Sequence, residues 1–187
     1  MLNIRESTLA DGYILSELSM MIINKMDLPF IKEVGLENLR SLIEQCFTDP
    51  KYRNDYMQAA VGEFDGEVVG AAFGFTSEQE GKIDEIFDKL LYENFGVRQG
   101  FETKEAVGDE WYLDTIAVFE RMRGKGIGTK LLKYLPKIAK KYDKDCIGLN
   151  VADTNLTAKK LYLSHNFVET GKELLGNQRF THMRWYF

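Results

Sequence analysis

The run Arg121-Met122-Arg123-Gly124-Lys125-Gly126-Ile127-Gly128-Thr129 constrains this chain more than any other segment. A strand-like stretch, Trp111 to Val118, precedes it, and a strongly periodic helix predicted over Ile127 to Tyr142 follows it. Glycines at a strand-to-helix turn let backbone N–H groups come close to an anion. The helix N-terminus adds the positive end of its dipole. The segment therefore reads as a phosphate cradle on an α/β framework.

The rest of the chain supplies that framework. Leu2 to Arg5 reads as a first strand, and Thr8 with Asp11 makes a capping-box-like start. Ile14, Leu15, Leu18, Met21 and Ile22 recur at helical spacing, predicting a helix that ends near Lys25, before Pro29. Leu36, Leu39, Leu42, Ile43 and Phe47 predict a second helix closed by Pro50, and Asp27 to Gly35 is expected to be a surface loop. Strand-like runs from Gln58 to Phe64 and from Glu67 to Phe75 flank Asp65-Gly66, a strong hairpin signal. Ser77 to Asp109 is acidic, and Ile83, Ile86, Phe87, Leu90, Leu91 and Phe95 within it predict a helix stopped by Gly96.

After the glycine turn, Ile127, Leu131, Leu135, Ile138 and Tyr142 form the buried stripe of the next helix. Lys130, Lys133, Lys137, Lys140, Lys141 and Lys144 are expected on its solvated face, and Pro136 should bend it. Ile147, Leu149 and Val151 alternate as a strand, and Thr154 or Asn155 caps a short helix carrying Ala158, Leu161, Tyr162 and His165. Two closing strands follow, Phe167 to Lys172 and Phe180 to Phe187. The predicted order is β-α-α-β-β-(inserted helix)-β-α-β-α-β-β, a mixed α/β domain over residues 1–187 with a helical insertion at about 77–109.

Composition narrows the function classes. With 187 residues, 44% hydrophobic and 28% charged, one packed domain is expected. A net charge of −5 argues against general binding to nucleic acid or a membrane surface. Cys46 and Cys146 form no metal or redox motif, and no metal is expected. The first residues lack a signal-peptide pattern, and no apolar run approaches the ~20 residues of a spanning helix. A cytoplasmic protein with reduced thiols is the expectation.

Three phosphate loops compete for the glycine run. A Walker loop needs Gly-x-x-x-x-Gly-Lys-Ser/Thr, and here the lysine is misplaced. A dinucleotide fingerprint needs Gly-x-Gly-x-x-Gly in a first βα turn; here the third glycine comes one residue early and the turn lies deep in the chain. Arg121-x-x-Gly124-x-Gly126, by contrast, resembles the coenzyme A signature of the GNAT superfamily of N-acetyltransferases. Leu113-Asp114-Thr115-Ile116-Ala117-Val118 has the form of that family's central strand. Asn155-Leu156-Thr157-Ala158-Lys159-Lys160-Leu161-Tyr162 resembles its Asn-x-x-Ala-x-x-Leu-Tyr helix, with Asn166 where a glycine is common.

The resemblance implies a mixed, mostly antiparallel sheet with a parallel central strand pair and flanking helices. It implies acetyl-CoA as cosubstrate and an amine acceptor, either a small molecule or a protein amine. It sets the coenzyme pyrophosphate against the backbone N–H groups of Gly124, Lys125, Gly126, Ile127, Gly128 and Thr129, with Arg121 and Arg123 adding charge. The pantetheine arm would lie along Ile116, Ala117 and Val118, with Asn155 as a side-chain contact. Tyr162 takes the part of the general acid that protonates the departing sulfur, since a phenol of pKa ~10 suits a thiolate of pKa ~8.5. For the base, Glu110, Tyr112 and Asp114 share one strand face by the period-two rule. Asp114 is nearer the thioester as base or substrate anchor, and Glu110 is further out. Asn150 stands where some members carry a glutamate, and His165 reads as a helix-surface residue. The Asp27 to Gly35 segment and the acidic Ser77 to Asp109 insertion are the expected acceptor-site wall, and the acidity suggests a cationic acceptor. Homodimers are common in that family. A non-catalytic coenzyme A-binding module on the same fold is the alternative, and it needs neither Tyr162 nor a strand carboxylate.

Overall fold

The computed structural model describes residues 1–26, 28–52, 57–98, 100, 104–175 and 178–187. Its strands are β1 (Leu2–Glu6), β2 (Gln58–Phe64), β3 (Glu67–Thr76), β4 (Trp111–Val118), β5 (Cys146–Ala152), β6 (Val168–Leu175) and β7 (Gln178–Tyr186). They form one sheet in the order β1-β2-β3-β4-β5-β7-β6. Every neighbouring pair is antiparallel except β4 and β5, which are parallel. Helices α1 (Gly12–Ile23), α2 (Pro29–Val34), α3 (Leu36–Thr48) and α4 (Ser77–Phe95) pack on one face, and α5 (Ile127–Ala139) and α6 (Leu156–Leu163) on the other.

Two hydrophobic clusters fill the layers. Leu15, Leu18, Leu39, Leu42, Phe47, Phe73 and Phe87 join α1, α3 and α4 to the sheet. Ile127, Leu131, Leu135 and Ile138 of α5, at the predicted helical spacing, pack on Trp111, Leu113, Ile147 and Leu149.

Local chemistry sets most boundaries. Thr8 and Asp11 form the expected capping box, on a short 3-10 turn that leads into α1. Arg5 then ties Asp11 (2.8 Å) and Glu63 (2.9 Å) across the first two strands. Thr76 and Gln79 cap α4, and Gly96 ends it in the left-handed conformation. Cys46 and Cys146 are both free and buried.

Four expectations need correction. Residues 28–35 are not simply a loop, because α2 occupies Pro29–Val34; Asp27 lies outside the described residues. Pro29 supplies a preset first helical turn, and Phe30 and Val34, one turn apart, are both buried. The first helix ends at Ile23 rather than near Lys25. The helix after the glycine turn stops at Ala139 and continues as a 3-10 turn over Lys140–Tyr142. Lys144 is not a solvated lysine: its largely buried side chain pairs with Glu78 (3.1 Å) and with Asp109. Together with a Ser77 to Gly108 hydrogen bond (3.0 Å), it pins the two ends of the 77–109 insertion against each other. Positions 99 and 101–103 of that insertion lie outside the described residues.

Candidate active site

The site begins where two strands part. The β4–β5 register consists of Trp111 opposite Ile147 and Tyr112 opposite Gly148, and goes no further. Beyond Tyr112 the β5-facing edge of β4 has no strand partner among the described residues, so its backbone polar groups are open to another chain or a ligand. At the same place β4 bulges. Phe73 pairs with Thr115 and the next residue, Gly74, with Leu113, so Asp114 is the extra residue.

The bulge changes the phase of the strand. Trp111 and Leu113 pack into the α5 cluster, and so do Ile116 and Val118, whereas strict alternation would put those two on the other face. Asp114 and Ile116 both line a cavity of about 380 Å³, together with Asn155 and Tyr162 of the α6 segment. Four residues read from two separate sequence motifs therefore converge on one space.

Their environments differ. Tyr162 is only 8% exposed, its ring lies 5.5 Å from that of Phe167, and burial pushes its hydroxyl up to about 12. It stays protonated at neutral pH. Asp114 is open to water within the cavity, yet protein encloses it on the remaining sides. Burial is the main cause of a carboxyl pushed up to about 7; Glu105 adds repulsion, and a hydrogen bond from Thr115 (2.9 Å) offsets part of it. Asn155 is the N-cap of α6, accepting from the Ala158 N–H at 3.1 Å, so the Thr154-or-Asn155 choice falls to Asn155.

The glycine turn lies outside this cavity, at the start of α5. After a 3-10 turn over Glu120–Met122, Gly124 and Gly126 take φ values of 75° and 76°. Side chains rarely tolerate that region, which explains glycine at both places. Gly126 is the N-cap of α5, and no side chain caps this end. The first-turn N–H groups of Ile127, Gly128 and Thr129 have no acceptor within the helix. Arg121 pairs with Glu67, Arg123 with Glu120 (3.2 Å), and Lys125 lies over the Phe64 ring; the two arginines are exposed. Ala117 is buried on the opposite face of β4 from Ile116 and Val118.

One buried polar cluster beside the site has no clear sequence signal. Glu110 is fully buried and accepts hydrogen bonds from the Val107 N–H (2.9 Å), His182 Nε2 (3.1 Å) and Arg184 Nε (2.8 Å). Burial opposes its charge, but these donors win and hold the carboxyl below its ordinary range. It does not line the cavity. Beyond it, His182 Nδ1 meets Asn150 Oδ1 at 2.9 Å. His182 and Arg184 come from β7, about seventy residues away in sequence, so spacing alone cannot reveal the cluster. Among the described residues the cavity's other acids are Glu80, Asp84 and Glu105, all from the insertion.

Comparison with known proteins gives this geometry its family. The family model described as the acetyltransferase (GNAT) family matches residues 25–167. A crystal structure described simply as an acetyltransferase is 36% identical, with a TM-score of 0.84 over 98% of each chain. An N-acetyltransferase from Staphylococcus aureus Mu50 is 26% identical, with a TM-score of 0.83 over 98% of this chain and 100% of that one. A Bacillus anthracis protein described as a candidate streptothricin acetyltransferase, solved in complex with acetyl coenzyme A, is 16% identical. Its TM-score is 0.51 over 72% of this chain and 65% of that one, which shows likeness of fold alone. No curated protein sequence matches. Matched over most of its length by the family model, the chain belongs to the GNAT family of acetyltransferases.

Proposed function

We propose that this protein transfers the acetyl group of acetyl-CoA to a primary amine, by direct attack with both substrates bound. The observation that carries this reading is the single cavity, at the parting of β4 and β5, into which Asp114, Ile116, Asn155 and Tyr162 converge. The coenzyme supplies a thioester whose carbonyl carbon accepts the amine.

The residues present fit that coenzyme. The uncapped α5 N-terminus and its two left-handed glycines suit a pyrophosphate, which needs close backbone N–H donors and a positive dipole. Arg121 and Arg123 flank the turn and add positive charge. The unpartnered edge of β4 along Ile116, Ala117 and Val118 suits the amide-bearing pantetheine arm, which can pair like an added strand. A backbone N–H near Val118 then polarises the thioester carbonyl. Asn155 donates from its amide nitrogen to the same arm.

Asp114 takes the proton of the incoming ammonium. A carboxyl near 7 is ionised for about half its population at neutral pH and is basic enough to help. Tyr162 gives its proton to the departing sulfur, and its raised value keeps that proton in place until the sulfur needs it. Acidic residues around the acceptor side attract the ammonium into the cavity.

The direct test is thiol release from acetyl-CoA over a panel of amines, with Tyr162→Phe beside the native protein. The expected result is turnover that falls about 100-fold or more in kcat, the usual weight of a general acid, with little change in acetyl-CoA affinity. Tight acetyl-CoA binding with no turnover of any amine would refute the enzyme reading and favour a coenzyme A-binding module. Among the described residues no helix is long and apolar enough to cross a membrane.

A further inference from the structure

The acceptor side of the cavity is unevenly charged. Among the described residues, Glu80, Asp84, Glu105 and Asp114 line it against one lysine, Lys25. Three of the four acids are already engaged, Asp114 by the Thr115 hydroxyl at 2.9 Å. Glu80 accepts from the Glu105 N–H at 2.5 Å, and Glu105 accepts the Tyr112 hydroxyl. Asp84 is different: it is half-buried, lines the cavity, and has no hydrogen bond or ion pair with a described residue. Burial, then Glu80, Asp88 and Glu105, pushes its carboxyl up to about 6, with the charge of Lys104 offsetting a smaller part. Glu80 and Asp84 also raise Asp114, so all these acids share one electrostatic field. A field of like charges in a partly closed space is relieved by a cation.

A metal ion is a poor answer. Among the described residues no group of three or more His, Cys, Asp or Glu side chains is arranged to hold one. The walls point instead to an organic cation with an apolar middle. Phe47, Phe75, Phe87 and Tyr112 line the same cavity, offering ring surfaces to methylene groups and ring faces to an ammonium. A volume of about 380 Å³ lies in the range used for small ligands. On β5, the amide nitrogen of Asn150, a cavity-lining residue, is buried with no hydrogen-bond partner among the described residues. It interacts with the Tyr112 hydroxyl without forming a full hydrogen bond, so it can still turn to a bound molecule.

Resting on the transferase reading above, we propose that the acceptor is a diamine or polyamine: one amine faces Asp114 for acetylation while a second ammonium is held by Asp84 of the inserted helix α4. The insertion then acts as the specificity element, with Asp84 reading the distance between the two nitrogens. The amine nitrogen forms the amide bond as the thioester C–S bond breaks; the ammonium proton goes to Asp114 and the thiolate takes one from Tyr162. The second ammonium takes no part in the bond changes.

Steady-state thiol release distinguishes this reading. The probes are 1-aminobutane, 1,4-diaminobutane, 1,5-diaminopentane, spermidine and a lysine-containing peptide, each with saturating acetyl-CoA. The diamines should exceed the monoamine in kcat/KM by about tenfold, the factor given by ~1.4 kcal/mol of ion pairing. Asp84→Asn should remove that advantage through KM, with kcat for the diamine retained. Acetyl-CoA affinity and the thermal midpoint of Asp84→Asn verify that the variant is folded. Equal kcat/KM for monoamine and diamine, a diamine advantage that survives Asp84→Asn, or preference for the peptide would overturn the proposal and leave the transferase reading intact. Absence of thiol release with every amine would overturn both.

Discussion

Replacing Glu110 by alanine should destabilise the protein more than any change to a cavity acid. The carboxylate accepts three hydrogen bonds, from the Val107 N–H, His182 Nε2 and Arg184 Nε, at 2.8 to 3.1 Å, in a fully buried position. Each buried donor left without a partner costs ~1–3 kcal/mol, and removing one partner of a buried charge pair typically costs ~3–5 kcal/mol in all. The three losses do not simply add. Arg184 also donates to the Val107 carbonyl at 2.7 Å and its side chain is 24% exposed, so water compensates it in part. About 3–4 kcal/mol is therefore the expected cost, a large share of the ~5–15 kcal/mol that holds a typical domain folded. Glycine at 148 belongs to the same clamp. A β-carbon there would sit 2.1 Å from the Glu110 carboxyl carbon, so the strand passes directly beneath the carboxylate.

Urea unfolding at pH 7 measures the loss. At ~2–4 °C per kcal/mol for a chain of this size, the thermal midpoint should fall by roughly 6–16 °C. The effect should also be pH-dependent. Because the folded state holds Glu110 below its ordinary 4.5, the stabilisation is present above pH 4.5 and disappears as pH falls through the lowered value. Native protein and Glu110→Ala should therefore converge in stability in acid. A loss under ~1 kcal/mol at neutral pH, or a gap that stays constant into acid, would refute the clamp.

Two further outcomes follow from the same geometry. Asp114→Asn should abolish the rise of kcat with pH centred near 7 in the pH–rate profile; it should also raise the thermal midpoint at pH 8. Ionising a carboxyl whose folded value lies above its unfolded 3.8 costs stability as pH rises between the two, so the gain should shrink as pH falls through 7 toward 3.8. Gly126→Ala should cost ~1–2 kcal/mol through its left-handed backbone alone, since nothing lies within 4 Å of an added β-carbon. Calorimetry should show acetyl-CoA affinity falling with it, whereas unchanged affinity would separate the turn from coenzyme binding.

Legibility in the sequence followed the range of the interactions. Elements fixed by local chemistry are readable: the Asp65-Gly66 hairpin, the Gly96 stop of α4, the Asn155 cap and the apolar stripe of α5. The short helix α2 was missed because six residues carry too little periodicity to outweigh Pro29 and Gly35 read as loop signals. Lys144 looked like its neighbours, since only the folded chain brings Glu78 and Asp109 to it. Strand alternation puts Glu110 on a face with Asp114 and so among the candidate bases, but its partners from β7 hold it in the interior. The acidity of the insertion was visible, but which of its acids line a cavity was not. Glu80 and Asp84 do so because Ile83 and Phe87, on the same face of α4, are drawn into the core beside them.

The bulge at Asp114 is the instructive case, since its trace was in the sequence all along. The large aliphatic residues of β4 fall at Leu113, then Ile116, then Val118, a step of three followed by a step of two. A regular strand with one face against α5 would need steps of two throughout. The polar pair Asp114-Thr115 takes up the extra position, and without the bulge Ile116 and Val118 would leave the α5 cluster for the opposite face. Hydrophobic burial of those two side chains, worth ~1.5–3 kcal/mol each when complete, thus holds the irregularity in place against the lost ladder position. Packing on one side of the sheet therefore maintains an extruded carboxylate on the other, within the cavity where the proposed amine must give up its proton.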